Sequence, residues 1–239
     1  MELTLDDLLG GKLKLYQPKV GQRQTMDTIL LAGFCRPRRG KIIELGSGTG
    51  AAALILSWRT GSPVEGVELD SDLVTMSNDS ARLNGLDCSF RQGDLRQLKT
   101  LPQGAYGTVL VNPPYQEEGK GLPSHHLSRR QARQGQGCSL AHVFAAGAHL
   151  LGAKGKLFMI LRSDRLPEAM NLAQNHRLMP IECQPVYAKE GKEAFAFLLA
   201  CRKEGKGGFL LRQPLFLQKE GQISEQFATF YEKEGPQWL

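Results

Sequence analysis

Ile42-Ile43-Glu44-Leu45-Gly46-Ser47-Gly48-Thr49-Gly50 sets three glycines behind a short apolar run and ahead of the helical pattern Ala51–Trp58. Glycines alternating with small hydroxyl residues let the chain turn tightly and bring its backbone close to a ligand. The N-terminus of the next helix adds exposed N–H groups and a partial positive charge. A turn of this kind belongs at the C-terminal end of a buried strand, which commits the chain to an α/β fold. Its spacing is GxGxG, not the GxGxxG of dinucleotide binders.

The rest of the chain keeps the same alternation. Lys41–Glu44, Pro63–Leu69, Ser89–Gln92, Thr108–Val111, Lys156–Leu161, Ile181–Val186 and Ala194–Cys201 read as strands. Helical patterns fill Ala51–Trp58, the stretch up to Asn84 and about Leu140–Leu151. Near-continuous apolar strands alternating with helices call for a mostly parallel sheet covered on both faces. The last two strands are joined by a short turn, so one antiparallel strand is expected at the edge. The fold class is therefore a Rossmann-like, seven-stranded α/β sheet. We expect one domain over 1–239: a lead-in over 1–40, a core over 41–204 and an edge extension over 205–239. Within the lead-in, Thr25–Phe34 reads as a helix with Thr25 as N-cap and Asp27 as a capping or interior acid.

Composition narrows the function classes. Thirty Lys and Arg against twenty-four Asp and Glu leave a net charge of +6 and a pI near 9.1, which is compatible with a nucleic-acid partner. The charge is uneven: Gly119–Ser163 holds no acid but seven cations, among them Lys120, Arg129, Arg130 and Arg133. The first part of that stretch, rich in Gly, Ser and Gln, reads as a basic surface loop. No apolar run approaches a membrane span and no signal-peptide pattern opens the chain. Five scattered cysteines without a CxxC pair argue against a disulfide framework or a metal site and fit a cytoplasmic setting.

Two further features carry chemistry. Acids stand at the ends of three successive strands, Glu44, Glu68 and Asp94. A carboxylate at Glu68 can accept both hydroxyls of a ribose, and Asp94 is placed to accept from an adenine amino group. The plainer alternative makes the glycine stretch a tight turn and the acids helix caps. The second feature is Asn112-Pro113-Pro114-Tyr115, directly after the strand Thr108–Val111. Two prolines end the strand and stiffen the segment after it. The Asn112 side-chain carbonyl and the Pro113 backbone carbonyl can each accept one N–H of a delocalised amine, aiming its lone pair at a methyl donor. Tyr115 offers a flat face for a base to stack on.

The glycine loop and the order of acids resemble the class I S-adenosylmethionine-dependent methyltransferases. Asn112–Tyr115 resembles the NPPY motif of the amino-methyltransferases acting on adenine N6 or a glutamine amide. The segment Gln17–Ala32 is similar to the QPKxGYRFSxDSxLLA stretch of the bacterial tRNA1(Val) adenine-N6 methyltransferase family, and the likeness runs on through most of the chain. Gln22 and Gln24 depart from it, standing where the pattern has aromatic residues. The resemblance implies S-adenosylmethionine as cofactor, no metal, and methyl transfer to an exocyclic amine, with adenine N6 in tRNA first. It implies a cofactor site of Glu44, Gly46, Gly48, Gly50, Glu68, Leu69, Asp94, Leu95 and Asn112. Gln17, Arg23 and Asp27 become cofactor neighbours, and Lys120, Arg129, Arg130 and Arg133 RNA contacts. The alternatives are a glutamine-amide methyltransferase acting on a protein such as a release factor, and a non-catalytic, cofactor-sensing RNA-binding protein.

Overall fold

A computed structural model of the chain describes residues 2–21, 23–113 and 138–236. The chain opens with a hairpin, β1 (Leu3–Leu8) and β2 (Leu13–Pro18), followed by helix α1 (Met26–Phe34). The core continues as β3 (Lys41–Leu45), α2 (Ala51–Thr60), β4 (Val64–Glu68), α3 (Ser71–Leu83), β5 (Cys88–Gln92) and β6 (Tyr106–Val111). After it come α4 (Leu140–Leu150), β7 (Leu151–Arg162), α5 (Leu166–Asn175), β8 (Leu178–Lys189) and β9 (Ala194–Lys203). Short strands β10 (Leu210–Leu211), β11 (Leu215–Lys219) and β12 (Gln222–Ile223) close the described sheet.

The main sheet runs β5-β4-β3-β6-β7-β9-β8, extended by β11 and β12, with β10 beside β8. From β5 to β7 every neighbour is parallel, whereas β9 is antiparallel to both β7 and β8. The antiparallel strand of the late pair, β9, therefore lies inside the sheet, while the antiparallel strand at the edge is β12 beside β11. Side-chain burial agrees with the inner place. Phe197–Cys201 of β9 is buried throughout and needs a neighbour on each side. β8 lies beyond it and is itself flanked by β9 on one side and by β10 and β11 on the other.

Both faces are covered. Ile42, Leu110 and Phe158 point into a layer built with α1 and α2, while Ile43, Val109 and Leu157 point into a second layer with α4 and α5. That one-residue alternation is the pleat of a two-sided strand. The free margin of β5 is held by α3: Asn78 accepts from Phe90 N–H and donates to the Phe90 carbonyl. Helix α5 and the β1–β2 hairpin are elements that the sequence pattern does not announce. The first starts with Pro167 in its opening turn, where a missing N–H costs nothing.

Candidate active site

Strand order reverses between β3 and β6, because the chain moves from β3 out to β5 and returns to β6 on the other flank of β3. Ligands of open α/β sheets bind outside the carboxyl ends of the strands at such a switch point. Here Leu45 pairs with Val111, so Gly46 and Asn112 leave adjacent strands side by side. A cavity of about 200 Å³ opens there. The glycine loop supplies Glu44, Gly46–Thr49 and Ala51, the end of β6 supplies Asn112 and Pro113, and the start of α1 supplies Arg23, Gln24, Thr25 and Thr28.

The loop needs its glycines for two reasons. Gly46, Gly48 and Gly50 have φ of 60°, 54° and 77°, in the left-handed region that side chains rarely adopt. A Cβ on Gly50 would also stand 2.7 Å from the Phe90 ring, whereas one on Gly46 would meet nothing within 4 Å. Gly50 is thus fixed by packing, and Gly46 offers bare backbone to the cavity. Two lining residues keep buried polar atoms with no hydrogen-bond partner among the described residues, Ser47 Oγ and Gln24 Oε1. An unmet buried group costs about 1–3 kcal/mol, so this wall suits a polar ligand approaching along backbone.

Glu44 and Glu68 are both buried, at 4% and 9% exposure, and both hold backbone N–H groups. Gly50, the N-cap of α2, has no side chain, and Glu44 Oε2 caps that helix by accepting from Ala53 N–H at 2.9 Å. Burial first, and the Glu68 charge after it, push the Glu44 carboxyl up to about 8 against the pull of that N–H. Glu68 Oε2 accepts from Gly48 N–H at 2.8 Å, and Oε1 accepts from Leu69 and Asp70 N–H at 2.8 and 3.0 Å. An oxygen offers two lone-pair directions, so Oε1 is saturated and only Oε2 has one left. In this rotamer the carboxylate brace leaves room for one further donor, not for a two-hydroxyl grip.

Asp94 is engaged differently from the sequence expectation. Arg96 clasps it with Nε at 2.9 and 3.0 Å and Nη2 at 2.7 Å, and the Arg96 backbone N–H adds a bond of 2.9 Å. The Arg96 hydrogen bond is the main cause that holds the Asp94 carboxyl below its usual range. Glu68, Leu69, Asp94 and Leu95 do not line the cavity, and Leu95 packs against the apolar layer under α4.

On the opposite wall, Gln17 is 2% exposed and acts as a strut. Its Oε1 accepts from Gln24 N–H at 2.6 Å and its Nε2 donates to Asp6 at 2.8 Å. Asp6 also pairs with Arg23, whose Nη1 donates to the Pro18 carbonyl at 3.0 Å. The hairpin thereby fixes the first turn of α1 against the glycine loop. Thr25 is the N-cap, though its side chain makes no cap bond. Arg23 lines the cavity, while Gln17 and Asp27 do not. Gln24, Thr25 and Thr28 are wall residues that sequence reasoning did not assign to the site, although Gln24 stood out as a departure from the family pattern. Pro114, Tyr115, Lys120, Arg129, Arg130 and Arg133 lie outside the described residues. Among the described residues no group of His, Cys, Asp and Glu is arranged for a metal ion, and no helix is long and apolar enough to cross a membrane.

Comparison with known proteins gives this geometry its class. The methyltransferase small domain model matches residues 23–175. A tRNA1(Val) (adenine(37)-N6)-methyltransferase of Tolumonas auensis is 30% identical over 162 residues, covering 66% of each chain. One from Photobacterium profundum is 24% identical over 217 residues, covering 87% of this chain and 89% of its own. Among solved structures, an O-methyltransferase of Agrobacterium tumefaciens, so named by prediction, superposes with a TM-score of 0.73 at 19% identity, covering 89% of this chain and 98% of its own. A 16S rRNA methyltransferase of T. thermophilus, solved with AdoMet and guanosine, gives 0.54 at 18% identity, covering 86% of this chain and 46% of its own. Fold and family together define a class I S-adenosylmethionine-dependent methyltransferase. The chain belongs to the methyltransferase small domain family.

Proposed function

We propose that this methyltransferase acts on an exocyclic amine, the N6 of an adenine in tRNA. The observation that carries the reading is the register of β3 with β6, which sets Asn112 and Pro113 beside the glycine loop in one cavity. S-adenosylmethionine supplies an electrophilic methyl group on a sulfonium. Around it, the residues proposed to hold the cofactor are Glu44, Gly46, Gly48, Gly50 and Asn112, with Glu68 and Leu69 bracing the loop. Asp94 and Leu95 stand further out, and Asp94 serves an adenine amino group only if Arg96 gives it up. The Asn112 and Pro113 carbonyls each accept one N–H of the amine. This keeps the nitrogen lone pair out of the ring system and directed at the methyl carbon. Rigid placement matters because alignment accounts for much of the rate in a direct displacement. Pro114 stiffens the strand exit and Tyr115 stacks the base.

The tRNA assignment is supported by relatives named as tRNA1(Val) adenine-N6 methyltransferases and by the net charge of +6. Lys120, Arg129, Arg130 and Arg133 are proposed to grip phosphates, so reversing Arg129 and Arg130 should flatten the salt dependence of RNA binding. An unchanged slope would remove the loop from the RNA surface. A second reading, glutamine-amide methylation, has support from a Methanocaldococcus jannaschii protein named for N5-glutamine methylation, 28% identical over 109 residues. Incubation with labelled S-adenosylmethionine, hypomethylated tRNA and a protein fraction separates the readings. Label in N6-methyladenosine supports tRNA, label confined to protein supports the amide, and no label with retained cofactor binding supports a non-catalytic sensor.

A further inference from the structure

Two buried carboxylates serve the glycine loop, and their surroundings differ. Glu68 is met by three backbone N–H groups. Glu44 is met by one, from Ala53, and is itself part of the cavity wall. The titratable groups that interact electrostatically with Glu44 are Glu68 at the end of β4, Cys88 on β5 and Cys35 at the C-cap of α1. All are acids. The cation of the wall, Arg23, is taken by Asp6 and the Pro18 carbonyl, and no ion pair to Glu44 occurs among the described residues.

A buried acid beside another acid, with no cation in contact, keeps a proton when nothing else neutralises it. We propose that Glu44 is a cation-for-proton exchange site, which carries a proton in the ligand-free protein and gives it up when the ammonium of the cofactor's amino-acid end is bound. The inference rests on the proposed placement of the cofactor in this cavity. In the exchange the carboxyl O–H breaks, the proton passes to solvent, and the carboxylate so formed pairs with the incoming ammonium. The direction in which burial and Glu68 move the Glu44 carboxyl agrees with this. Cofactor affinity should therefore rise as pH climbs toward 8, and proton release should accompany binding near neutrality.

The test is calorimetric titration of the full chain at pH 7 with S-adenosylhomocysteine, which carries the same ammonium, in buffers of differing ionisation enthalpy. The slope of observed enthalpy against buffer enthalpy counts the protons released. Wild type should release close to one proton, and Glu44→Gln should bind with none released. 5′-Methylthioadenosine, which has no amino-acid end, should bind wild type without release, an arm that does not depend on the variant folding. A wild-type enthalpy independent of buffer would overturn the exchange while leaving the cofactor placement standing. Equal release from Glu44→Gln, or with 5′-methylthioadenosine, would also overturn it. No binding of S-adenosylhomocysteine would overturn the placement, and the proposal with it.

Discussion

Replacing Glu68 by alanine separates two roles for this acid. If it served only as a ribose ligand, the ligand-free protein would keep its stability and lose only cofactor affinity. The hydrogen bonds argue otherwise. Glu68→Ala strands the Gly48 and Asp70 N–H groups, whose bonds are buried, and the partly buried Leu69 N–H. At about 1–3 kcal/mol for each unmet buried donor, with water relieving the most accessible one, the loss is about 2–6 kcal/mol. For a chain of this size that corresponds to a fall in Tm of roughly 4–24 °C. Glu68→Gln is milder and informative. Its amide keeps one oxygen, which can stay on Leu69 and Asp70, while its NH2 then faces the Gly48 N–H. One donor is stranded, for a loss of about 1–3 kcal/mol. Scanning fluorimetry and urea unfolding of the ligand-free proteins should rank them wild type, then glutamine, then alanine. A ligand-free Glu68→Ala protein as stable as wild type would refute the brace and return Glu68 to ligand binding alone.

Single contacts elsewhere set further outcomes. Arg96 holds the Asp94 carboxyl below its usual range. The stabilisation is therefore present above the ordinary carboxylate value and lost as pH falls through the lower folded one. The urea-unfolding difference between wild type and Arg96→Ala should close as pH drops from 6 to 2.5, and a constant difference would contradict the clasp. A Cβ on Gly33 would lie 2.2 Å from the fully buried Phe230 ring. Gly33→Ala should thus destabilise by about 1–3 kcal/mol from overpacking, although alanine within a helix normally gains up to about 1 kcal/mol over glycine. A raised Tm would show that α1 and the C-terminal segment do not pack as described.

The parts of this fold that were legible are those in which one short run of sequence decides its own structure. The strands ending at Leu45 and Val111 are continuous apolar segments closed within two residues by glycine or proline, and the glycine loop announces its own turn, whereas their adjacency at a switch point comes from the pairing of β3 with β6. Less was visible where the outcome depends on partners distant in sequence. The strut from Gln17 to Gln24 and Asp6 needs the hairpin folded back, and its strands carry exposed Leu3 and Leu5 that blur the alternation. Whether Asp94 faces a ligand or Arg96 is settled by the loop after β5, not by residue type. β9 takes the place between β7 and β8 by pairing with both, an outcome that pattern reading of each strand alone does not reveal. The acids show a further limit: residues read as ligand groups also cap and brace the loop, and both duties predict the same residue types.

The orienting of an acceptor amine by Asn112 beside the cofactor is tested by comparing wild type with Asn112→Ala in two assays. Methyl transfer to hypomethylated tRNA is measured by nucleoside digestion, and S-adenosylhomocysteine binding by calorimetry. Wild type should yield N6-methyladenosine and the variant none, with cofactor affinity within a few-fold of wild type. Near-normal turnover by Asn112→Ala, or a loss of activity explained wholly by lost cofactor affinity, would contradict that role.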